Sequence, residues 1–322
     1  MQNVAAAPVH PALSIVIPAY NVAPYIRQAV LSALDQSFDD TEIIVVDDGS
    51  TDATAEILAA IARERRDERL HILHQANAGL SGARNTGILA ARGHFIGFLD
   101  GDDVWLPEKA ARHLHLMRGD PGIGISFSHS EYITESGNPT GAYLRADKPH
   151  PTLHDMIRRN HVGNGSNAIV RRDCFDRAGL FRPELRACED YELWCRILHR
   201  TRYRAVAIPQ VLTQYRMRLT SLSYDHRKFV RQADAAMHYL RAAMPAVPVE
   251  IFAAGHAEHY RIAAWKAAST GSHAAGARLL LRALRLRPSL LLTDRRAAAT
   301  GIWLMLPGAA RRMLAPRLGV GG

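Results

Sequence analysis

The sequence predicts an α/β protein: a mostly parallel sheet flanked by helices, with a helical C-terminal appendage. Three observations carry that prediction. Short β-branched runs alternate with helical-period segments from Leu13 to Leu99. Polar loops close the first, second and fourth of those runs. From His226 onward the composition turns to Ala, Leu and Arg. Strands alternating with helices imply parallel pairing through right-handed crossovers. Such a sheet opens its ligand crevice at the carboxyl ends of its strands.

Leu13–Pro18 is a buried-strand run, ended by Pro18-Ala-Tyr-Asn21 because proline cannot continue a central ladder. Val22, Ile26, Ala29, Val30, Ala33 and Leu34 recur at helical spacing. Glu42–Val46 is a second strand, followed at once by Asp47-Asp-Gly-Ser-Thr-Asp52. Ser50, Thr51 or Asp52 is then the expected cap of a helix over Ala53–Glu64. Leu70–His74 is a third strand, Ala78–Gly82 a glycine-bearing loop and Arg84–Ala91 a small-residue helix. The run His94–Leu99 leads straight into Asp100-Gly-Asp-Asp103.

Beyond a helix at Lys109–Met117 the pattern changes. Ile123–Ile133 and Gly141–Leu144 flank a turn at Thr134–Pro139 and predict a hairpin. A loop at Gly163–Ser166 precedes a strand at Asn167–Val170. Glu189-Asp-Tyr-Glu-Leu-Trp194 opens a helix reaching about His199, and Arg204–Val211 is the last strand.

Three carboxylates within four residues at Asp100, Asp102 and Asp103 repel one another, and a divalent cation is their natural partner. Hard oxygen ligands suit Mg²⁺ or Mn²⁺, and Mg²⁺ takes one or two carboxylates plus water and substrate phosphates. The competing reading is a solvated acidic turn in which Asp103 caps the helix near Pro107. Glu189 and Asp190 have a similar plain reading, as acidic residues favoured by a helix N-terminus. No Gly-x-Gly-x-x-Gly follows the first strand and no Gly-x-x-x-x-Gly-Lys occurs, which argues against dinucleotide and P-loop chemistry.

The composition is that of an ordinary globular chain: 322 residues, 48% hydrophobic and 22% charged. Cys174, Cys188 and Cys195 match no zinc or redox spacing and suit a reducing compartment. Met1–Leu13 lacks the basic and apolar regions of a signal peptide, and no apolar run reaches the length of a membrane span. Residues 226–322 hold 15 Lys+Arg against 4 Asp+Glu, so the net charge of +9 belongs to the tail. That asymmetry points to an anionic surface, lipid or nucleic acid.

Five segments together resemble the inverting family 2 nucleotide-sugar glycosyltransferases of bacterial polysaccharide and lipopolysaccharide synthesis. They are Ser14–Asn21, Ile43–Asp52, Asn77–Gly87, Phe98–Asp103 and Glu189–Trp194, in the family's order and spacing. The resemblance implies a GT-A fold, Rossmann-like, over residues 13–225. Its nucleotide-sugar half would run to about residue 118 and its acceptor half from about 119, after a flexible stretch at 1–12.

The resemblance also implies roles. Pro18, Tyr20, Asn21 and Asp48 would line the nucleotide pocket, with Asp47 or Asp48 accepting from the base N–H. Arg84 would approach the nucleotide or diphosphate. Asp100 would face the ribose or the metal, Asp102 would ligate the cation, and Asp103 would be a ligand or helper. Asp190 would be the general base, with Glu189 orienting it or binding acceptor, while Trp194 reads as core, with stacking on acceptor as the other reading. Many relatives carry Tyr-Arg-x-His after the last strand, whereas this chain has Tyr215-Arg-Met-Arg218. Arginine does not ligate metals, so Arg218 would supply positive charge to the diphosphate instead. Phe181-Arg182 departs from the usual Phe-Asp, with no role assigned.

Gly271–Pro288 resembles one tetratricopeptide-like helical pair. After it, apolar Ser289–Leu292, Ile302–Leu306 and Met313–Leu314 interleave with Arg295, Arg296, Arg311, Arg312 and Arg317. This is the composition of an interfacial helix on anionic lipid; no nucleic-acid reader motif accompanies it. The expected protein is therefore cytoplasmic and peripheral on the inner face of the cell membrane, with a lipid-linked or free saccharide as acceptor. Two other readings are a nucleotidyltransferase, which lacks its basic glycine-rich loop here, and a non-catalytic nucleotide-sugar-binding scaffold.

Overall fold

β1 (Leu13–Ala19) is buried along its whole length and is the axis of the sheet. It pairs in parallel with β2 (Thr41–Asp47) on one side and with β4 (Phe95–Phe98) on the other. β3 (Leu70–His74) adds in parallel to β2. The computed structural model describes residues 10–218 and 225–306. Within them the sheet has nine strands in the order β3-β2-β1-β4-β8-β6-β9-β5, with β7 hydrogen-bonded to β6. The added strands are β5 (Val104–Trp105), β6 (Ile123–Ile133), β7 (Pro139–Leu144), β8 (Ile169–Arg171) and β9 (Arg204–Arg216). β8 joins antiparallel to β4 and β6, and β6 pairs in parallel with β9.

The connections explain why the first four strands are parallel. α1 (Ile26–Leu34), α2 (Thr54–Arg65) and α3 (Gly79–Ala90) each carry the chain back to the start of the next strand. Ile26, Val30 and Leu34 of α1 join Ile15, Ile17, Ile43, Val45 and Leu58 in the main core. α1 begins four residues later than its apolar spacing suggests. Asn21 sits at φ +51°, and Tyr25 N–H closes a turn on the Val22 carbonyl. α3 begins earlier than expected because Asp48, at the end of β2, accepts from the backbone N–H of Ala78 and Gly79, both at 2.8 Å. A carboxylate placed there satisfies orphan donors and suits the positive end of the helix.

The chain forms two compact units. Among the described residues the first comprises 10–152, 161–184 and 196–218 and holds the whole sheet together with α4 (Lys109–Gly119) and α6 (Asp173–Ala178). The second gathers 153–160, 185–195 and 225–306. Two segments that precede residue 225 thus group with the C-terminal helices: α5 (Leu153–Arg158) and the start of α7 (Glu189–Arg200). Tyr191 shows why, since its hydroxyl donates to Ile157 O and its ring meets His259 edge-on at 5.0 Å. The remaining helices are α8 (His226–Ala243), α9 (Val249–Ser269), α10 (His273–Leu286), α11 (Leu290–Thr293) and α12 (Arg295–Met305). α9 and α10 form a tight antiparallel pair over Ala263, Ala264, Ala267, Leu279 and Leu280. Arg311, Arg312, Met313, Leu314 and Arg317 lie outside the described residues.

His259 gives this unit a pH signature. Burial between Tyr191 and Phe229 pushes its pKa down to about 4. Below the ordinary value of about 6.5 the unfolded chain takes up a proton that the folded chain refuses. Stability therefore falls as pH drops from about 6.5 to about 4, by up to ~3 kcal/mol at ~1.4 kcal/mol per unit. Urea midpoints at pH 7, 5.5 and 4.5 should fall more steeply for the parent than for His259→Gln. Parallel curves for the two proteins would contradict this assignment.

Candidate active site

The carboxyl ends of β1, β2 and β4 lie side by side, so their loops share one edge of the first unit. The first two loops are laced together. Asn21 N–H donates to Ser50 Oγ, Asn21 Oδ1 accepts from Thr51 N–H at 2.8 Å, and Ala23 N–H donates to Asp52. Asn21 thus holds the second loop, and Tyr20 beside it is half exposed. The two neighbouring aspartates differ. Asp48 is filled by Gln75 Nε2, Ala78 N–H and Gly79 N–H. Asp47 takes one donor per oxygen, Ser50 N–H on Oδ1 and the His74 ring on Oδ2 at 3.0 Å.

The third loop carries the acidic cluster. Gly101 rests on the end of β1, where a Cβ would stand 3.0 Å from Pro18 O. Only glycine fits that approach without a shift. Asp100 is ion-paired through Oδ1 to Arg84, which is buried on α3 with its guanidinium 5.3 Å from the centre of the Phe181 ring. Asp102 is ion-paired through Oδ2 to Arg218 Nε at 3.0 Å. Each of these carboxylates remains about one-fifth exposed, at 21% and 20%. Asp103 is different: it is buried, accepting from Ser166 Oγ on Oδ2 and from Arg216 N–H on Oδ1 at 2.9 Å. With both oxygens bonded inside the fold, Asp103 shapes the loop. It neither caps the following helix, whose cap position is Glu108, nor presents a free oxygen as a third ligand.

The cluster is electrostatically frustrated. Burial pushes the Asp102 carboxyl above its usual range; Arg218 opposes that and the Asp100 charge adds to it. Asp103 is pushed higher still, by burial and then by Asp102 and Asp100. A positive charge at the exposed oxygens relieves this strain. Asp100 Oδ2 and Asp102 Oδ1 have no hydrogen-bond partner among the described residues. No group of three His, Cys, Asp or Glu side chains forms a ready cage among those residues. The donor set therefore fits a Mg²⁺- or Mn²⁺-type ion held by two carboxylates and completed by water and phosphate oxygens.

Arg216 and Ser166 escaped the sequence reading. Arg216 is buried; its Nε donates to Asp102 O at 2.7 Å, and its remaining donors reach Gln28 and the Thr134 and Glu135 carbonyls. Both Arg216 and Arg218 stack on Tyr25, at 5.0 and 5.3 Å. A cleft of about 580 Å³ opens there between Pro24, Tyr25, Gln28, Glu135 and Arg216. Arg216 belongs to the same Tyr-Arg-x-Arg segment as Arg218, and that is the signal that could have found it.

Glu189 and Asp190 fall in the helical unit, in the first turn of α7. Glu189 is buried and Asp190 half-buried, with Asp190 Oδ1 accepting from Tyr191 N–H. Cys188 before them is held at φ +60°, a conformation rare for a side chain of this kind. Strained backbone of this sort gathers at functional segments. Trp194 is fully buried core.

Residues 14–179, from the start of β1 to the end of α6, match glycosyl transferase family 2. The chain belongs to that family. Among curated proteins it is 29% identical over 239 residues to the putative teichuronic acid biosynthesis glycosyltransferase TuaG of Bacillus subtilis, covering 72% of this chain and 92% of TuaG. It is 54% identical over 193 residues to the uncharacterized glycosyltransferase EpsJ of the same organism, covering 56% of this chain and 54% of EpsJ. Two solved structures share the fold. Staphylococcus aureus TarS 1-349 in complex with UDP aligns with a TM-score of 0.62 at 19% identity, over 95% of this chain and 91% of that one. The mannosyltransferase PcManGT from Pyrobaculum calidifontis, in complex with GDP-Man and Mn²⁺, aligns with a TM-score of 0.60 at 19% identity, over 95% and 87%. The family 2 transferase thus has the GT-A fold with a helical C-terminal region.

Proposed function

We propose that this family 2 protein transfers a sugar from a nucleoside-diphosphate sugar, a UDP-sugar in our reading, to a hydroxyl of a saccharide or lipid-linked saccharide, with inversion. The setting is the synthesis of cell-surface polysaccharide. The observation that carries the proposal is the acidic loop, in which two carboxylates each offer one open oxygen and each sits against an arginine. TarS with UDP and PcManGT with GDP-Man and Mn²⁺ support the donor and cation classes.

Asp102 and Asp100 are the residues that would hold Mg²⁺ or Mn²⁺, and Asp103 positions them. When bound, the cation neutralises charge developing on the leaving diphosphate. Arg84 and Arg218 lend further positive charge to the same group. Asp47 carries one donor on each oxygen and is the acceptor for the base N–H in this reading, while Asp48 is committed to α3. Pro18, Tyr20 and Asn21 form the wall beside it.

Asp190 takes the proton of the acceptor hydroxyl as that oxygen attacks the anomeric carbon from the face opposite the diphosphate. The bond from that carbon to the diphosphate oxygen breaks in the same step, so no protein nucleophile is needed. Glu189 orients Asp190 or the acceptor. The test is transfer of labelled sugar from UDP-, GDP- and dTDP-sugars to free and lipid-linked saccharides. Transfer from a UDP-sugar with inverted anomeric configuration supports the reading; transfer with retention contradicts it.

The tail is proposed to rest on anionic lipid at the cytoplasmic face of the membrane. No helix among the described residues is long and apolar enough to cross a membrane. Leu292, Ile302 and Met305 are 91%, 63% and 84% exposed, close in sequence to Arg295 and Arg296. Exposed apolar groups beside arginine suit an interfacial site, where each basic residue contributes about 1 kcal/mol. Flotation with vesicles containing phosphatidylglycerol should fall in the Leu292→Ser, Ile302→Ser, Met305→Ser protein and in high salt. Equal flotation of parent and variant would contradict the lipid assignment.

A further inference from the structure

Lys109 opens α4, and its side chain is completely buried. A buried ammonium is ordinarily met by a carboxylate, because leaving water unpaired is costly for a charge. Among the described residues none of the partners of Lys109 is a carboxylate. Nζ donates to Asn167 O at 3.0 Å and to Ser128 Oγ at 3.2 Å. It lies 3.4 Å from Nε2 of His113, also fully buried, and 5.1 Å from the centre of the Trp105 ring. Burial pushes the pKa of both Lys109 and His113 well down. A methionine would fill similar volume without that penalty, so stability alone is a poor reason for lysine here.

The carbonyl that Lys109 grips closes a 3-10 turn at Gly165–Asn167. That turn is also the support of the acidic loop. Ser166 Oγ accepts from Asp100 N–H at 3.0 Å and donates to Asp103 Oδ2. Ser166 O accepts from Trp105 Nε1 at 2.8 Å. Gly165 lies against the Arg84 guanidinium, where a Cβ would stand 2.3 Å from Nη2. The turn is thus pinned on one side by Lys109 and Trp105, and it fixes Asp100, Asp103 and Arg84 on the other.

We propose that Lys109 is a positioning residue for the cation and diphosphate site, acting through the 165–167 turn on Asp100, Asp103 and Arg84, and so on the loop that carries Asp102 between them. The proposal rests on the reading of Asp100 and Asp102 as cation ligands. Groups that orient metal ligands typically change metal affinity 10- to 100-fold when removed. In Lys109→Met, Mn²⁺ affinity in the presence of UDP, read by electron paramagnetic resonance, should fall about 10-fold or more. UDP binding without metal should stay within about twofold, and the thermal midpoint should hold or rise, since the cost of taking that amine out of water is gone. Ser166→Ala should show the same split, and the double variant should be no weaker than the weaker single, because both act along one path.

If Lys109→Met does not fold, Ser166→Ala alone decides. A parent that binds Mn²⁺, with variants that bind it equally well, overturns this proposal and leaves the transferase reading standing. Losses of Mn²⁺ affinity that multiply in the double variant also overturn it. A parent that binds no Mn²⁺ in the presence of UDP overturns the reading underneath, and this proposal with it.

Discussion

Asp190→Asn is expected to lower kcat by about 10²–10⁴-fold, the usual worth of a general base. That corresponds to roughly 3–5 kcal/mol of transition-state stabilisation. Donor KM should change little, because the amide keeps the shape of the side chain and its Oδ1 still accepts from Tyr191 N–H. What it loses is the ability to take a proton from the acceptor hydroxyl. The segment is built for fixed geometry: Cys188 at φ +60° precedes it, Glu192 N–H bonds back to Cys188 O, and Tyr191 anchors the turn to Ile157. Glu189→Gln should cost less. Turnover within threefold of the parent in Asp190→Asn would move the base to another residue.

Asp102→Asn should abolish metal-dependent binding of nucleoside diphosphate while making the protein more stable at neutral pH. The sign follows from the direction of the shifts. Asp102 and Asp103 have carboxyls raised above their unfolded value, so the folded state binds protons more readily than the unfolded one. Stability is therefore lost as pH rises from the unfolded value near 3.8 through the raised values. Removing one charge from the cluster removes part of that penalty, and the gain should shrink toward acid pH. Such trade-offs mark groups held for function. Arg218→Ala should weaken diphosphate binding, since Arg218 is ion-paired to the Asp102 carboxylate. A sharp rise in metal affinity in Arg218→His would contradict the assignment of Arg218 as a built-in positive charge. So would an Asp102→Asn protein that unfolds earlier than its parent at pH 7.

Much of this architecture is legible in the residues themselves. The alternation of Leu13–Pro18, Glu42–Val46 and Leu70–His74 with helical-period segments encodes the parallel half of the sheet, because period and length both point the same way. What escapes is set by tertiary contact. β5 has only two residues and exists because Val104 and Trp105 pair with Thr213 and Gln214 of β9. The early start of α3 depends on a carboxylate thirty residues upstream. The grouping of 153–160 and 185–195 with the C-terminal helices rests on the packing of Tyr191, which no local pattern reports.

The site divides in the same way. Asp100, Asp102, Arg84 and Arg218 were nameable from motif and charge, and they meet as two ion pairs. Asp103 reads from the sequence as a ligand, a helper or a helix cap, and burial makes it a brace. Ser166 and Lys109 carry no signal of their own, being a serine in a glycine loop and a lysine in a helix, and Arg216 is marked only by the segment it shares with Arg218. Their importance lies in which backbone groups they hold.

The most direct test of the central claim is a calorimetric titration of the full chain with UDP, then GDP and dTDP, each with and without Mn²⁺. UDP is expected to bind, more strongly with Mn²⁺, and the metal-dependent part should be lost in Asp102→Ala. No binding of any of the three with metal present would contradict that claim. Asp100–Asp103 would then be an acidic turn and the protein a scaffold on a transferase fold.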